Sequence, residues 1–244
     1  NAAIGHVRYS TAGGGGIMNV QPFLFRTLDG MMGIAHNGNI VNANLLKKEL
    51  EENGSIFNST SDTEVLGHLI KRETGRFVDR ICKSLEKIDG AFAFVILVED
   101  ALYVARDRYG LRPLSMGRLP SGGYMFSSET CALDIAGAEY VRDVEPGEII
   151  RVKDGIIKSK KYTETLPICN KLCAMEYIYF SRPDSNLDGI NVHTARKTCG
   201  KTLFEEAPVE ADLVIGVPDS SISAAIGYSE ASGIPYPPAS QPVR

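Results

Sequence analysis

The chain changes its pattern once, near residue 166, and that change limits it to two kinds of architecture in series. Before it, short apolar or alternating runs are bracketed by turn residues. Residues 91–98 and 102–106 read as strands joined by Glu99-Asp100, residues 124–127 as a further strand, and 149–153 with 156–161 as a hairpin around Asp154-Gly155. Asp-Gly suits the φ > 0 corners of a two-residue turn. Helices framed by such hairpins imply helices packed on largely antiparallel sheets. After the change, 192–206 reads as a helix, 212–217 as a buried-type strand and 221–233 as a helix. Strand, tight turn and helix mark a parallel α/β unit, and one strand cannot make a sheet. We therefore expect a domain over 1–165 and a linker with a partial second domain over 166–244, the boundary falling near 165–173.

Within the first domain, residues 4–10 look strand-like, 13–16 form a glycine loop, 21–25 are extended, and 31–36 are a strand ending in a sharp Asn37-Gly38 turn. Residues 44–53 are expected to be helical, with Leu45, Leu46 and Leu50 on one side and Gly54 as the stop. Ser61-Asp62-Thr63-Glu64 spells a capping box, Ser61 as N-cap and Glu64 reaching back. The helix after it would bury Val65, Leu66, Leu69 and Ile70, and Phe77, Ile81, Leu85 and Ile88 set a third helix at i, i+4, i+8.

Composition excludes several roles. The formal charge is −4 without Lys/Arg clusters, which argues against nucleic acid as the main partner. No apolar run is long enough to span a bilayer, and there is no secretory signal, so no membrane partner is expected. Five cysteines, an odd number without framework-like spacing, suggest a reducing compartment, and we expect a cytoplasmic protein.

Chemistry concentrates on residues 35–40, Ala-His-Asn-Gly-Asn-Ile. Asn-Gly is a turn-forming pair, and that reading is sufficient by itself. Alternatively, the Asn37 side-chain amide and the Gly38 N–H are two donors that could hold one oxyanion. Arg8, near Ser10 and Thr11, is either a surface ion pair or a bidentate grip on a carboxylate. Asp62 either complements a helix dipole or binds an ammonium. A carboxylate grip, an ammonium partner and an oxyanion pair together match the functional groups of glutamine.

The segments Gly5-His-Val-Arg-Tyr-Ser-Thr-Ala-Gly, Gln21-Pro-Phe, His36-Asn-Gly-Asn, Ser61-Asp-Thr-Glu, Asp89-Gly-Ala-Phe-Ala, Arg106-Asp-Arg-Tyr-Gly-Leu-Arg-Pro-Leu and Ser128-Glu-Thr-Cys-Ala-Leu-Asp resemble the glutaminase domain of the class II, N-terminal-nucleophile glutamine amidotransferases. Glu176-Tyr-Ile-Tyr-Phe-Ser-Arg-Pro-Asp-Ser and Val217-Pro-Asp-Ser-Ser are similar to the phosphoribosylpyrophosphate branch of that family, and nearest to its iron–sulfur-containing members. The resemblance implies a four-layer αββα glutaminase domain followed by the beginning of a type I phosphoribosyltransferase α/β domain.

It also implies a chemistry. An N-terminal cysteine attacks the glutamine amide with its own α-amine as base, and the released ammonia displaces pyrophosphate from phosphoribosylpyrophosphate (PRPP) in the first committed step of purine synthesis. Asn37 and Gly38 would hold the oxyanion, Arg8 with Thr11 the substrate carboxylate, and Asp62 its ammonium. The resemblance further implies Mg²⁺, purine nucleotide feedback inhibitors and a homotetramer. Ser220 would lie near Mg²⁺ or PRPP phosphates, beside Asp219, which is otherwise expected to cap the following helix. Cys173 matches the first ligand of a 4Fe–4S cluster, a plain buried thiol being its other reading.

Two departures stand out. Position 1 is Asn1, so the opening cysteine and its strand are expected upstream, and none of the five cysteines present has a free α-amine. As written, the chain is not expected to hydrolyse glutamine. Residues 237–244 look like a remnant of the family's Pro-Ser-Gln stretch, and the acidic PRPP motif does not occur. Cys82 and Cys131 read as buried apolar groups, and the four histidines as packing or hydrogen-bonding residues. The alternatives are another class II amidotransferase, or a non-catalytic regulatory or assembly fragment.

Overall fold

The computed structural model describes residues 2–7, 16–27 and 30–237. Two compact units emerge, residues 1–128 with 141–172, and residues 129–140 with 173–244.

The first unit begins with the antiparallel pair β1 (Phe23–Thr27) and β2 (Gly30–Ile40). Three helices follow, α1 (Ala43–Glu52), α2 (Thr63–Arg72) and α3 (Phe77–Glu86), and then the hairpin of β3 (Gly90–Val98) and β4 (Ala101–Arg106). β5 (Ser115–Arg118) and β6 (Tyr124–Ser127) form a second hairpin. After α4 (Thr130–Ile135) come β7 (Glu139–Asp143), β8 (Glu148–Lys153) and β9 (Ile156–Lys161). One sheet runs β1-β2-β3-β4-β8-β9 and the other β6-β5-β7.

Period-two alternation splits the first sheet's side chains between two cores. Phe92, Phe94, Ile96, Tyr103 and Ile149 face the helices and pack with Leu66, Ile70, Ile81 and Leu85. Ala93, Val104 and Ile150, each adjacent in sequence to one of those, pack instead with Leu114 and Met116 of the second sheet's side. Helices, sheet and sheet thus stack in layers. Asp154 and Gly155 turn the β8–β9 hairpin at φ 51° and 73°, as their sequence requires.

Several local expectations fail for identifiable reasons. Leu45 is exposed while Leu46 and Leu50 are buried, because the apolar stripe of α1 is narrower than its leucines suggest. The capping box does not form around Ser61. Instead Glu64 reaches further back, accepting from the Asn58 and Ser59 backbone N–H groups at 2.9 and 2.8 Å. Ser61 Oγ accepts from Thr63 N at 3.3 Å. Residues 4–7 pair in no strand, and the rest of that strand-like segment lies outside the described residues.

The second unit contains α4, a π-helical turn at Glu176–Phe180, the short pair β10 (Asn186–Leu187) and β11 (Ile190–Asn191), α5 (Val192–Glu206) and α6 (Ile222–Ser232). Residues 212–217 form no strand. Leu213, Ile215 and Val217 are exposed, and Val214 N donates to Pro235 O at 3.0 Å. A strand exists only through a neighbour, and among the described residues this segment has none. Asp219 does not cap α6. The cap position is Ser221, without a side-chain capping bond, while Ser221 Oγ donates to Val217 O.

α5 and α6 meet backbone to backbone. A Cβ at Gly200 would lie 1.9 Å from Ala224 O, and one at Gly227 1.9 Å from Lys197 O. Neither obstacle is a side chain that can swing away. Gly227→Ala is therefore expected to destabilise the second unit by about 3 kcal/mol, seen as a lowered urea midpoint. A midpoint equal to the parent's would show that the helices part at no cost.

Candidate active site at the open edge of β2

β2 does not end at His36. It runs on through Asn37 and Gly38, which pair with Ala93 and Phe92 of β3. The sharp turn expected at Asn37-Gly38 is therefore absent, and the glycine has another cause. Gly38 lies at φ +151°, and a Cβ there would be 2.0 Å from Ala91 O. Close approach of a neighbouring backbone, not chain reversal, selects glycine.

The β1 ladder stops at the Phe23–Ile34 pair, so beyond Ile34 one side of β2 has no strand neighbour among the described residues. Side chains take over there. Gln21 Oε1 accepts from His36 N at 2.7 Å, the His6 ring Nε2 lies 3.0 Å from His36 O, and Asp62 Oδ2 accepts from Ile40 N at 2.7 Å. Backbone N–H groups alternate between the two edges of a strand. With His36 and Ile40 both donating on this edge, the Gly38 N–H between them points the same way.

Asn37 is held from its carbonyl end. Arg112 Nη2 donates to Asn37 Oδ1 at 2.9 Å, and Asn37 Nδ2 lies 3.4 Å from Ser128 Oγ. Asp62 meets β2 at Ile40, three residues beyond Asn37 and about 10 Å from it at a strand's rise. Its second oxygen stands 3.9 Å from His36 Nδ1. Asn37, Gly38 and Asp62 thus share one strand end, whereas Arg8 and Thr11 lie outside the described residues.

His36 anchors this corner. It is buried, its ring lies 4.3 Å from that of Phe94 in a stacked arrangement, and Nδ1 is 3.0 Å from Thr63 Oγ1. Burial lowers its pKa to about 4, against the pull of the Asp62 carboxylate and the Ala91 carbonyl, so the ring is neutral at pH 7. The unfolded chain then takes the proton first. Stability from the neutral ring is whole above pH 6.5 and is lost as the pH falls toward 4, by roughly 3 kcal/mol. Urea midpoints at pH 7 and 4.5 test this. His36→Phe, which cannot titrate, is expected to lose less between them than the parent, and an equal loss would place the proton elsewhere.

The residues after β4 brace the same corner. Arg106 is buried and donates to three carbonyls, those of Arg112 (2.8 Å), Val144 (2.7 Å) and Gly110 (2.8 Å). The Asp107 carboxylate accepts from Tyr109 N, Leu111 N and Phe92 N, the last belonging to the residue opposite Gly38. Burial pushes the Asp107 carboxyl up, while these amides and Arg106 restrain it. Arg106, Asp107 and Arg112 were missed as site residues, although their charge density inside one short turn between apolar strands was visible.

The remaining candidates lie in the second unit. Cys173 is half-buried, Cys169 is exposed, and among the described residues no three His, Cys, Asp or Glu gather to hold a metal. Ser220 sits half-buried in the turn before α6. One thiol and one hydroxyl are by themselves too few ligands for a cluster or a magnesium site. Cys82 and Cys131 are buried, and desolvation raises both thiols, as suits inert packing groups. His68 lies 3.5 Å from Glu64, and His193 Nδ1 lies 2.9 Å from Ser223 Oγ.

Residues 11–134 match the family of the glutamine amidotransferase domain. The chain is 59% identical over 237 residues to the amidophosphoribosyltransferase of Bacillus subtilis, covering 96% of this chain and 49% of that one. It is 52% identical over 235 residues to that of Staphylococcus aureus, covering 96% and 47%. Among solved structures, the B. subtilis glutamine PRPP amidotransferase complexed with ADP and GMP superposes with a TM-score of 0.89 at 56% identity, over 95% of this chain and 50% of that chain. The chain spans about half the length of the relatives it matches. The superposition establishes the fold as that of the amino-terminal glutaminase domain of that enzyme.

Proposed function

Because the chain belongs to the glutamine amidotransferase domain family, we propose that the edge of β2 binds glutamine and stabilises the oxyanion formed when its side-chain amide is attacked. The observation that carries this reading is the gathering of three groups at one end of β2, along an edge that is unpaired among the described residues. The Gly38 N–H lies between two backbone donors that are already engaged, Asn37 is gripped at its oxygen, and Asp62 is anchored by Ile40 N. Two donors and a carboxylate so spaced suit an amide at one end of a small molecule and an ammonium at the other.

In the proposed reaction a thiolate adds to the amide carbon, and the carbonyl electron pair moves to an oxygen held by Asn37 Nδ2 and Gly38 N. Collapse breaks the C–N bond, and the nitrogen leaves as ammonia after taking the proton the thiol gave up. Water then cleaves the thioester to glutamate. Arg8 and Thr11 would hold the substrate carboxylate. The thiol is a cysteine carrying its own α-amine, which none of the cysteines of this sequence offers.

The relatives' names extend the reading to the whole protein, as a transferase that passes the ammonia to PRPP, giving 5-phosphoribosylamine and pyrophosphate in purine biosynthesis. Purine nucleotides are its proposed regulators, since the B. subtilis structure holds ADP and GMP. Residues 1–165 form the glutaminase domain in this reading, and 166–244 the linker and the start of the phosphoribosyltransferase domain. Mg²⁺ at PRPP near Ser220, a 4Fe–4S cluster reached by Cys173, a homotetramer and a cytoplasmic setting complete the proposal. No helix among the described residues is long and apolar enough to cross a membrane.

Asp62→Asn tests the site in the full-length protein. Asparagine keeps an acceptor for Ile40 N but loses the charge facing an ammonium. A charge-assisted hydrogen bond of about 1.5–3 kcal/mol is removed, so KM for glutamine is expected to rise about 10- to 100-fold. An unchanged KM would remove Asp62 from the substrate site.

A further inference from the structure

We infer that Arg112 is a positioning residue that sets which end of the Asn37 amide faces the reacting carbonyl. The inference rests on the oxyanion role proposed for Asn37. A primary amide is nearly symmetric in shape, and its two ends have opposite polarity. Turned one way, Asn37 offers N–H donors to a developing oxyanion. Turned the other way, it offers an oxygen lone pair, which repels the same charge. Something must choose between them.

Ser128 Oγ, 3.4 Å from Asn37 Nδ2, does not choose, because a hydroxyl both donates and accepts. Arg112 does. A guanidinium has only donors, so the atom 2.9 Å from its Nη2 has to be the amide oxygen. The NH₂ group is then committed to the opposite side. The pairing also draws electron density toward Oδ1, making the amide protons better donors to an anion.

The chain around Arg112 is built to keep it there. Its own carbonyl accepts from Arg106 Nε at 2.8 Å, and Arg106 ties the Gly110 and Val144 carbonyls into the same fork. Asp107 fixes the intervening Tyr109 and Leu111 amides. Asp107 also accepts from Phe92 N, opposite Gly38. One turn therefore braces both of the proposed donors, Gly38 through its ladder partner and Asn37 through Arg112.

The test is a double-mutant cycle on glutamine hydrolysis by the full-length protein, with Asn37→Ala, Arg112→Met and the pair together. Removing one oxyanion donor costs roughly 10²–10³ in kcat. Arg112→Met is expected to lower kcat about tenfold with little change in KM. Added to Asn37→Ala it is expected to cost no more than about threefold further, because the group it orients is already gone. A residue that merely supports the fold would lower both backgrounds equally. If the two losses multiply, or if Arg112→Met keeps the parental kcat, the inference is wrong while the oxyanion reading of Asn37 stands. If Asn37→Ala itself keeps the parental kcat, both fail. Should Arg112→Met not fold, Arg112→Gln, whose own amide both donates and accepts and so cannot fix the choice, takes its place in the same cycle with the same criteria.

Discussion

Gly38→Ala is expected to leave less than about 1% of the parent's glutamine hydrolysis and to lower stability by roughly 3–5 kcal/mol. The obstruction is a backbone carbonyl, Ala91 O at 2.0 Å, with the Ala91 carbonyl carbon at 2.8 Å behind it. His36 Nε2, 2.7 Å away, blocks a second direction, and that ring is buried and stacked on Phe94. The residue also sits at φ +151°, where an L side chain is strained even without a neighbour. Relief requires β2 and β3 to separate at the Gly38–Phe92 pair. Separation there displaces Asn37 on one side and the Ile40–Asp62 contact on the other. The stability loss and the activity loss thus have one origin, and urea titration alongside a glutaminase assay measures both. A turn glycine would behave differently, since a turn can relax into solvent. An alanine variant with parental midpoint and rate would mean that this edge is as compliant as a loop.

Arg106→Met is the second large effect expected, and it acts first on stability. Methionine is of similar length and fills much of the space, so a cavity is not the main cost. The cost comes from three carbonyl oxygens, of Gly110, Arg112 and Val144, that lose their donor in a buried place. Each unsatisfied group costs about 1–3 kcal/mol, and removing one member of a buried charged network about 3–5 kcal/mol. Asp107 loses a favourable neighbour as well, because the Arg106 charge helps to hold its carboxylate ionised. We expect a loss of about 4 kcal/mol in urea unfolding, together with a fall in kcat, since the Arg112 carbonyl is one of the freed groups. A variant that lost activity but kept its midpoint would show that Arg106 serves the site alone.

Much of the first unit could be read from local pattern because its causes are local. The Asp154-Gly155 hairpin, the Glu99-Asp100 turn and the Phe77–Ile81–Leu85 stripe each depend on a few neighbouring residues, and each is present. The Asn37-Gly38 turn failed for the opposite reason. Asn-Gly is a turn signal only when nothing else needs the missing Cβ, and here Ala91 of another strand needs it. Glu64 likewise reaches Asn58 and Ser59 rather than Ser61, since the loop before α2 folds back on the helix start. The letters do not show that Arg106 and Asp107 are buried, because their partners are backbone groups, which no residue letter reveals.

Local pattern was enough to locate the three helices of the first unit, the hairpins around Glu99-Asp100 and Asp154-Gly155, and the residue types glutamine chemistry would need. These follow from side-chain periodicity and from chemical identity, which are properties of the letters. It took the folded chain to reveal that β2 continues past Ile34 with one edge unpaired among the described residues, that the Gly38 N–H and the Asp62 carboxylate share that edge, and that Arg112 grips Asn37 by its oxygen. Edges and donor directions arise from which strand stops and which neighbour is missing, and those are decided by residues distant in the chain.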